Sequence, residues 1–384
     1  MRVFVYIIVF FSFFDLFTQL PIMTPLAISV GATPFLTGLV VGMYSFSNTI
    51  GNVASGFLTD KRGPFLILIT GLLLSGVSLF IYYFADNAWL LLLIRFVHGL
   101  TAGLIVPAAF TYLANSVETA KKGKGAALSG AFVGLAAVIG PAFSGIVSSR
   151  TNEVTVLTVT AFCMIALGIL AFIFLRSQAS PVSDAKQDTG KMSVRVFFQD
   201  SKIIKAFSGA FFLMFSQGVL AYMLPLKVAD LGQDTQTSGL LLSTFGIVAI
   251  LIFVLPTNRL FDVIKPIKTL TFGMGAMGVS LILISLSQSI SILYIYMGLY
   301  GVGFSFLFPS LNSLLIEATQ KKQRGRAYGY FYAFFSIGVV VGSSLTGLLQ
   351  LTANQGFIFT GILLMIAAMF LFLKKDKSKP ILSE

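Results

Sequence analysis

Three ionisable side chains lie within long apolar stretches of this chain, where a bilayer would exclude water. Asp15 interrupts VYIIVFFSFFDLFTQLP (residues 5–21), and Arg95 and His98 lie in LLLLIRFVHGLTAG (residues 90–103). A charge at bilayer depth is costly, so such a residue should face a water-filled cavity or a partner. Burial favours the neutral form of a carboxyl group. We therefore expect Asp15 to take up and release a proton.

The spacing of Arg95, His98 and Gly99 places them on one face of a helix. A nearby Arg95 would favour the ionised form of Asp15, so the two are expected to form a switchable pair, and His98 is expected to tune it. The hypothesis is that proton binding at Asp15 competes or alternates with substrate binding. The structural alternatives are an Asp15 hydrogen-bonded to its neighbour Thr18 or Gln19, an Arg95 paired with backbone carbonyls, and a His98 that only packs.

The composition indicates a polytopic membrane protein. Of the 384 residues, 56% are hydrophobic and only 10% are charged, and the mean hydropathy is +0.92. A soluble domain carries about 25% charged residues. Apolar runs long enough to cross a hydrocarbon core of about 30 Å recur along the whole chain. Because backbone groups must be satisfied internally in lipid, these runs predict spanning helices and an all-α membrane protein.

Twelve spans are predicted in two sets of six. The first set covers residues 3–28, 35–58, 65–84, 89–115, 126–149 and 154–175, and the second covers residues 203–229, 236–257, 267–287, 290–317, 325–349 and 354–373. Residues 176–202, RSQASPVSDAKQDTGKMSVRVFFQDSK, form the longest polar stretch and are predicted to be a cytoplasmic linker. This divides the chain into an N-terminal bundle (1–175), the linker (176–202) and a C-terminal bundle with a short cytoplasmic tail (203–384).

The basic residues predict the orientation in the membrane. With both termini in the cytoplasm, all of the 26 Lys and Arg residues fall on that side except Arg95 within a span and Arg150 and Lys227 outside. This asymmetry follows the positive-inside rule. The net charge of +12 is therefore better explained by contact with anionic membrane lipid than by binding to nucleic acid. A bacterial cell membrane is the expected location, and a monomer is the expected assembly.

The two halves repeat at a fixed offset. Asp60 and Asp262 are 202 residues apart, and the same offset relates the residues at 99, 107, 123, 140 and 145 to those at 301, 309, 325, 342 and 347. Two parallel six-helix repeats are the architecture of a transporter whose site lies between the halves near the midplane.

Three motifs carry a specific resemblance to the major facilitator superfamily. GFLTDKRGP (56–64) is similar to the family's loop 2–3 signature, although the basic residues that usually close that signature are replaced by PFL. RFVHGLTAG (95–103) is similar to the fourth-span signature. GAFVGLAAVIGPAFSG (130–145) is similar to the fifth-span signature of proton-coupled antiporters. The resemblance covers nearly the whole chain and implies twelve helices in two pseudo-symmetric bundles, of the drug:proton antiporter branch.

These motifs supply the candidate gating residues. Glycines along one helix permit close backbone approach, and a proline loosens the helix. Gly63 is suited to a tight turn, and a carboxylate at a helix end can pair with a cation or a helix N-terminus of the other half. Ordinary small-residue packing and a solvated loop charge are the alternatives. The gating candidates are Gly56, Asp60, Lys61, Gly63, Gly130, Gly134, Gly140, Pro141, Gly145 and Asp262.

An aromatic and amide lining suits a partly apolar, drug-sized ligand. The C-terminal half lacks the equivalent charges, since Arg95 corresponds to Met297 and Asp15 to the neighbourhood of residues 215–217. The C-terminal half is therefore expected to contribute substrate contacts rather than proton binding. The cavity candidates are Gln19, Tyr44, Asn48, Asn52, Gln217, Tyr222, Asn312 and Tyr332.

These features favour transport over catalysis. The sequence has no P-loop motif, and one His and one Cys are too few for a usual metal site, so no cofactor and no enzymatic activity are expected. The expected function is proton-coupled export of small molecules by alternating access, of the multidrug type. The alternative is a dedicated exporter of an anionic or zwitterionic metabolite such as a siderophore or metallophore. Import, ligand sensing and lipid handling are the remaining classes.

Overall fold

The described part of the chain is almost entirely α-helical. A computed structural model describes residues 2–116, 122–175, 200–254, 264–319 and 324–374. The helices of the first half are α1 (Arg2–Thr18), α2 (Met23–Ser29), α3 (Pro34–Arg62), α4 (Pro64–Ile81), α5 (Ala88–Ala102), α6 (Ile105–Ser116), α7 (Lys122–Arg150) and α8 (Glu153–Leu175). The helices of the second half are α9 (Ser201–Asp230), α10 (Thr235–Val254), α11 (Pro266–Leu286), α12 (Ile290–Glu317), α13 (Arg324–Leu348) and α14 (Ala353–Leu373).

The predicted two-bundle membrane architecture is confirmed. Ten helical segments of the described chain are long and apolar enough to span a bilayer, and the bent pair α1 and α2 supplies an eleventh. Helix α3 occupies the remaining predicted span; it has 29 residues but carries polar side chains such as Asn48 and Asn52. The predicted linker lies outside the described residues up to residue 199, and α9 begins at Ser201.

The first span is broken, where a continuous helix over residues 3–28 was predicted. Helices α1 and α2 meet at 48° across residues 19–22. Pro21 has no N–H and cannot continue the helical hydrogen-bond pattern. The side chains of Thr18 and Gln19 instead donate to the backbone carbonyl of Asp15, at 2.9 and 2.8 Å. The helix therefore ends immediately after the turn that carries Asp15.

The connections between helices reproduce the repeat. We call the end of the molecule at which α1 and α9 begin the termini face, and the opposite end the far face. At the far face the α2–α3 and α9–α10 connections contain Gly31 and Gly232, with φ of 78° and 71°. Thr33 then accepts a hydrogen bond from a backbone N–H of α3, and Asp234 does the same for α10. Both turns use glycine for the left-handed backbone and a polar cap for the next helix.

The two halves contact each other through two related helix pairs. Helix α3 packs on α13, and α7 packs on α10. In the first pair Ser343 Oγ donates to the carbonyl of Gly38 at 2.7 Å; in the second, Ser243 Oγ donates to the carbonyl of Val138 at 2.7 Å. These contacts lie in the far-face part of the helices, and Tyr222 of α9 adds a hydrogen bond to the carbonyl of Pro34 at 3.1 Å. The halves are thus joined at the far face.

Candidate functional site

Three hydrogen-bond donors converge on the carboxylate of Asp15 within the N-terminal bundle. Gln19 Nε2 lies 3.0 Å from Oδ1, His98 Nε2 lies 3.1 Å from Oδ2, and Tyr44 Oη lies 3.4 Å from Oδ2. Gln19 comes from the connection after α1, His98 from α5 and Tyr44 from α3, so the tertiary fold assembles the site. Each oxygen of the buried carboxyl group therefore has at least one side-chain hydrogen-bond partner.

Arg95 reaches Asp15 through Gln19 rather than directly. Its Nη1 donates to Gln19 Oε1, while Nε and Nη2 donate to the carbonyls of Val40 and Val41 at 2.9 and 3.1 Å. The guanidinium also lies 5.0 Å from the centre of the Tyr44 ring. Within the described residues Arg95 therefore makes no ion pair with Asp15, and the expected direct pair is replaced by a bridge.

The cluster has no contact with solvent in this structure. Asp15 and His98 are 0% exposed, Arg95 is 3% exposed, and Gln19 is 2% exposed. Water is therefore excluded, so each missing hydrogen bond would be expensive. A solute or water molecule could reach Asp15 only after a movement that opens the cluster.

Close approach of α3 and α5 brings His98 within reach of Asp15. A Cβ atom on Gly99 would collide with the carbonyl of Tyr44 and with Ser47 Oγ. Only glycine leaves room for this backbone contact. The predicted face of Arg95, His98 and Gly99 is therefore the face that packs against α3.

Sequence reasoning missed Tyr82. Its hydroxyl lies 3.2 Å from Nδ1 of His98, on the side of the imidazole opposite Asp15, and its side chain is 1% exposed. Nothing in the local sequence distinguishes Tyr82 from its neighbour Tyr83, which is 75% exposed. Only the packing of α4 against α5 identifies it.

The C-terminal bundle contains an uncharged counterpart of this cluster. Ser216 and Tyr300 hydrogen-bond at 2.8 Å, and both are buried. The contact of Gly99 with the Tyr44 carbonyl recurs as a contact of Gly301 with the Phe245 carbonyl. In the C-terminal bundle, Ser216 is therefore equivalent to Asp15, and Tyr300 is equivalent to His98. Met297 occupies the position predicted to correspond to Arg95. Among the described residues, the Asp, Arg and His side chains of the cluster thus have no charged counterparts at the equivalent site of the C-terminal bundle.

The glycines of α7 connect the Asp15 helix with the opposite bundle. A Cβ on Gly140 would lie 2.9 Å from Phe17 Cβ and 3.2 Å from the backbone nitrogen of Thr18. On the α10 side, a Cβ on Gly134 would lie 3.0 Å from Ile250, and one on Gly145 would lie 3.0 Å from Gly239 Cα. Helix α7 therefore packs both against α1, which carries Asp15, and against α10 of the other half. Pro141 and Gly130 lie in the same helix.

The loop 2–3 signature lies at the termini face. Gly63 has φ of 78°, as the predicted tight turn requires, and Lys61 is exposed. A Cβ on Gly56 would meet nothing within 4 Å. Asp60 belongs to α3, but its side chain lies outside the described part, and Asp262 lies outside the described residues altogether.

The predicted cavity residues are dispersed. Gln19 and Tyr44 belong to the buried cluster. Asn48 donates to the Gly99 carbonyl at 3.4 Å and accepts from Asn52 at 2.9 Å, which continues the polar row along α3. The remaining candidates lie in the C-terminal half: Tyr222 at the far-face interface, Gln217 half-buried on α9, Asn312 bonded to the Phe308 carbonyl at 3.4 Å, and Tyr332 50% exposed.

Replacing Gln19 with leucine is expected to destabilise the N-terminal bundle. The change removes the bridge and leaves a buried donor of Arg95 and a buried oxygen of Asp15 without a partner. We expect the thermal unfolding midpoint in detergent to fall by about 4 °C or more, since a charged group left without its hydrogen bond costs roughly 2 kcal/mol or more. Gln288→Leu, at an exposed position, is the control and should leave the midpoint unchanged. Equal midpoints for the two variants would contradict this role of Gln19.

Comparison with known proteins identifies the family to which the sequence is similar. The sequence model described as Major Facilitator Superfamily matches residues 5–207 and 206–383. The chain is 26% identical over 342 residues to the multidrug resistance protein MdtG of Escherichia coli O9:H4 (strain HS), covering 88% of this chain and 82% of MdtG. It is 24% identical over 311 residues to the multi-drug resistance efflux pump PmrA of Streptococcus pneumoniae serotype 4, covering 80% and 77%.

A solved structure shares the fold. The crystal structure of a bacterial homologue of the human lysosomal transporter Spinster, in an inward-facing and unoccupied conformation, superimposes with a TM-score of 0.81. The sequence identity is 13%, and the match covers 97% of this chain and 95% of that one.

Proposed function

Because this chain belongs to the Major Facilitator Superfamily, we propose that it is a proton-coupled secondary transporter that exports several drug-like molecules by alternating access. The observation that carries the proposal is the buried carboxylate of Asp15, which receives three donors within one bundle and has an uncharged counterpart in the other. Two relatives with names that state multidrug resistance or efflux support the substrate class.

In the proposed cycle, protonation and substrate binding alternate at the N-terminal bundle. Asp15 takes up and releases the proton, and His98 donates to its carboxylate when Asp15 is ionised. The positive charge of Arg95 acts on Asp15 through the Gln19 bridge. Loss of charge on Asp15 weakens the donor set that holds α1, α3 and α5 together. Because Gly140 of α7 packs beside Phe17, a shift of α1 is passed to the α7–α10 contact between the halves.

Alternating access in this proposal exchanges two sets of contacts. The far-face contacts of α3 with α13 and of α7 with α10 close one side of the site. The opposite state parts them and closes the termini face, where Asp60, Lys61 and Gly63 form the contact with the other half and Asp262 takes the equivalent place. We propose that the termini face is cytoplasmic, in agreement with the positive-inside pattern, and that the protein acts as a monomer in the cell membrane, in contact with anionic lipid.

In this proposal the substrate binds between the bundles near the midplane. Asn48 and Asn52 offer amides from the N-terminal half, and Gln217, Asn312 and Tyr332 offer polar and aromatic groups from the C-terminal half. Such a lining suits partly apolar molecules with a few polar groups.

One observation favours a second candidate, a dedicated exporter of an anionic or zwitterionic metabolite of the siderophore or metallophore kind. Asp15 is fully buried, and Gln19 connects its carboxyl group to the positively charged side chain of Arg95. This arrangement offers little free negative charge to a cationic drug.

The test uses purified protein in liposomes with an imposed proton gradient. Cationic dyes, antibiotics and zwitterionic chelators are added in turn, and the internal pH is followed. Proton flux triggered by several chemically different drugs is the expected result. Flux triggered only by a zwitterionic or anionic chelator would favour the dedicated exporter. Substrate movement without any proton flux would contradict proton coupling.

A further inference from the structure

Tyr82 is the outermost member of the buried hydrogen-bond chain that ends on Asp15. It is the first residue of a short 3-10 helix, Tyr82–Phe84, that follows α4 near the far face. Its hydroxyl meets Nδ1 of His98, and Nε2 of the same ring meets Oδ2 of Asp15. The imidazole therefore has one partner on each nitrogen, and both partners are buried.

When Asp15 is ionised, simple donor and acceptor rules determine in which direction the hydrogen bonds from Tyr82 through His98 to Asp15 are donated. A carboxylate can only accept hydrogen bonds, so the proton of a neutral His98 must be on Nε2. Nδ1 is then an acceptor, and the Tyr82 hydroxyl must donate to it. Gln19 and Tyr44 also donate to the carboxylate. Every donor along the chain points toward Asp15, and only one tautomer of His98 satisfies it.

Protonation of Asp15 reverses this direction. A proton taken up from water ends on Asp15 Oδ2, whose O–H then needs an acceptor. His98 provides one when, with the cluster open to water, it releases its Nε2 proton to water and takes up another at Nδ1. Tyr82 keeps its hydroxyl proton and turns its oxygen to accept from Nδ1. One proton enters in total, and the imidazole stays neutral, so charge and protons balance.

We propose that Tyr82 is a positioning residue for proton coupling: by donating to Nδ1, it supports the His98 tautomer that ionised Asp15 requires, and it gives up this donor role when Asp15 is protonated. The role of Tyr82 in transport rests on the proposed function, whereas the tautomer of His98 follows from the hydrogen-bond geometry alone. The ionisable groups that face the chain are Asp15 on α1, Tyr44 on α3 and Arg95 on α5.

The C-terminal bundle supplies a matched control. Tyr300 occupies the place of His98 and hydrogen-bonds to Ser216. Replacing Tyr300 with phenylalanine removes a buried tyrosine hydroxyl, as replacing Tyr82 does, but it does so where no proton-binding group is present. Any effect of a lost buried hydroxyl on stability alone should therefore appear in both variants.

A single histidine in the whole chain allows a direct measurement. Protein purified through a histidine-free tag and labelled with ¹⁵N-histidine would be studied by NMR in detergent at a pH at which Asp15 is ionised. We expect wild type and Tyr300→Phe to show one tautomer, with the proton on Nε2. Tyr82→Phe should keep the proton on Nε2, because ionised Asp15 still accepts from it, but its Nδ1 resonance should shift because this nitrogen has lost its hydrogen-bond donor. A proton on Nδ1 in the wild type, or identical spectra for wild type and Tyr82→Phe, would overturn the inference.

Transport of the same variants provides the second readout. The substitution removes one hydrogen bond in both protonation states, but that bond is stronger when the series of hydrogen bonds ends on a charged Asp15. The pH midpoint of proton-coupled transport should therefore rise in Tyr82→Phe by roughly half a unit to one unit. Tyr300→Phe should keep the wild-type midpoint. An unchanged midpoint in Tyr82→Phe would refute the coupling role while leaving the proposed function intact. Absence of proton coupling in the wild type would refute both, whatever the NMR result.

Discussion

Replacing Asp15 with asparagine is expected to abolish proton-driven transport while leaving substrate exchange in place. Asparagine matches the carboxylate in size but cannot take up a proton. Proton-driven accumulation should fall roughly 10²-fold or more, as when a positioned proton-transfer group is lost. Exchange of labelled for unlabelled substrate across a membrane without a gradient requires no net proton movement and should continue. Both rates would be measured in liposomes.

The local geometry explains why the exchange should survive. The asparagine oxygen can accept from His98 and Tyr44, as Asp15 Oδ2 does now. Its amide nitrogen then faces Gln19 Nε2, so that one hydrogen bond is lost, while Gln19 keeps its bond to Arg95 and two of the three bonds to residue 15 are retained. The fold of the bundle is therefore expected to be retained, and only the titration is lost.

Ser216→Ala serves as the matched control. It lies at the equivalent position of the C-terminal bundle, where no group binds a proton, and proton-driven transport should continue at a rate close to that of wild type. If Asp15→Asn kept full proton coupling, the assignment of Asp15 would be wrong. If both variants lost it, the two equivalent sites would have to act together.

The second large effect is expected from adding one methyl group at the contact between the halves. A Cβ on Gly38 would collide with the backbone oxygen of Ser343, and one on Gly239 would collide with the backbone oxygen of Pro141. Backbone atoms cannot move aside as the end of a flexible side chain can. Overpacking of this kind costs roughly 1–3 kcal/mol per site. The double variant Gly38→Ala, Gly239→Ala should therefore part the halves at the far face and reduce transport about tenfold or more.

Spin labels at the far face would report this opening. Arg150 and Gln350 are exposed there on opposite halves, and cysteines at these positions in a Cys163→Ser background would carry the labels. We expect the distance distribution to shift to longer values in the double variant. Gly275→Ala is the control, because a Cβ at Gly275 would meet nothing within 4 Å. An unchanged distance distribution with full transport would contradict the role assigned to the two contacts.

Composition and periodicity were enough to predict the class of protein and its repeat. Apolar runs of spanning length allow only helices in lipid, because no water is present to satisfy the backbone. The offset of the halves follows from glycines at turns and close contacts, where a side chain would be strained or would collide. Gly99 and Gly301 are such a pair, since a Cβ on either would meet a backbone oxygen of a neighbouring helix. Asp15, Arg95 and His98 were also identifiable, since an ionisable group within a span is rare without a function.

The partners of those residues were decided only by the tertiary structure. Gln19, predicted to line the substrate cavity, lies between Arg95 and Asp15, in the connection that follows the end of α1 at Thr18. Tyr82 reaches His98 through the packing of two helices, and no local pattern separates it from Tyr83. Hydrophobic burial identifies which elements enter the membrane, but hydrogen bonds depend on distances of about 3 Å. Distances of that kind between separate helices are determined by packing, and the sequence pattern of one helix does not contain them.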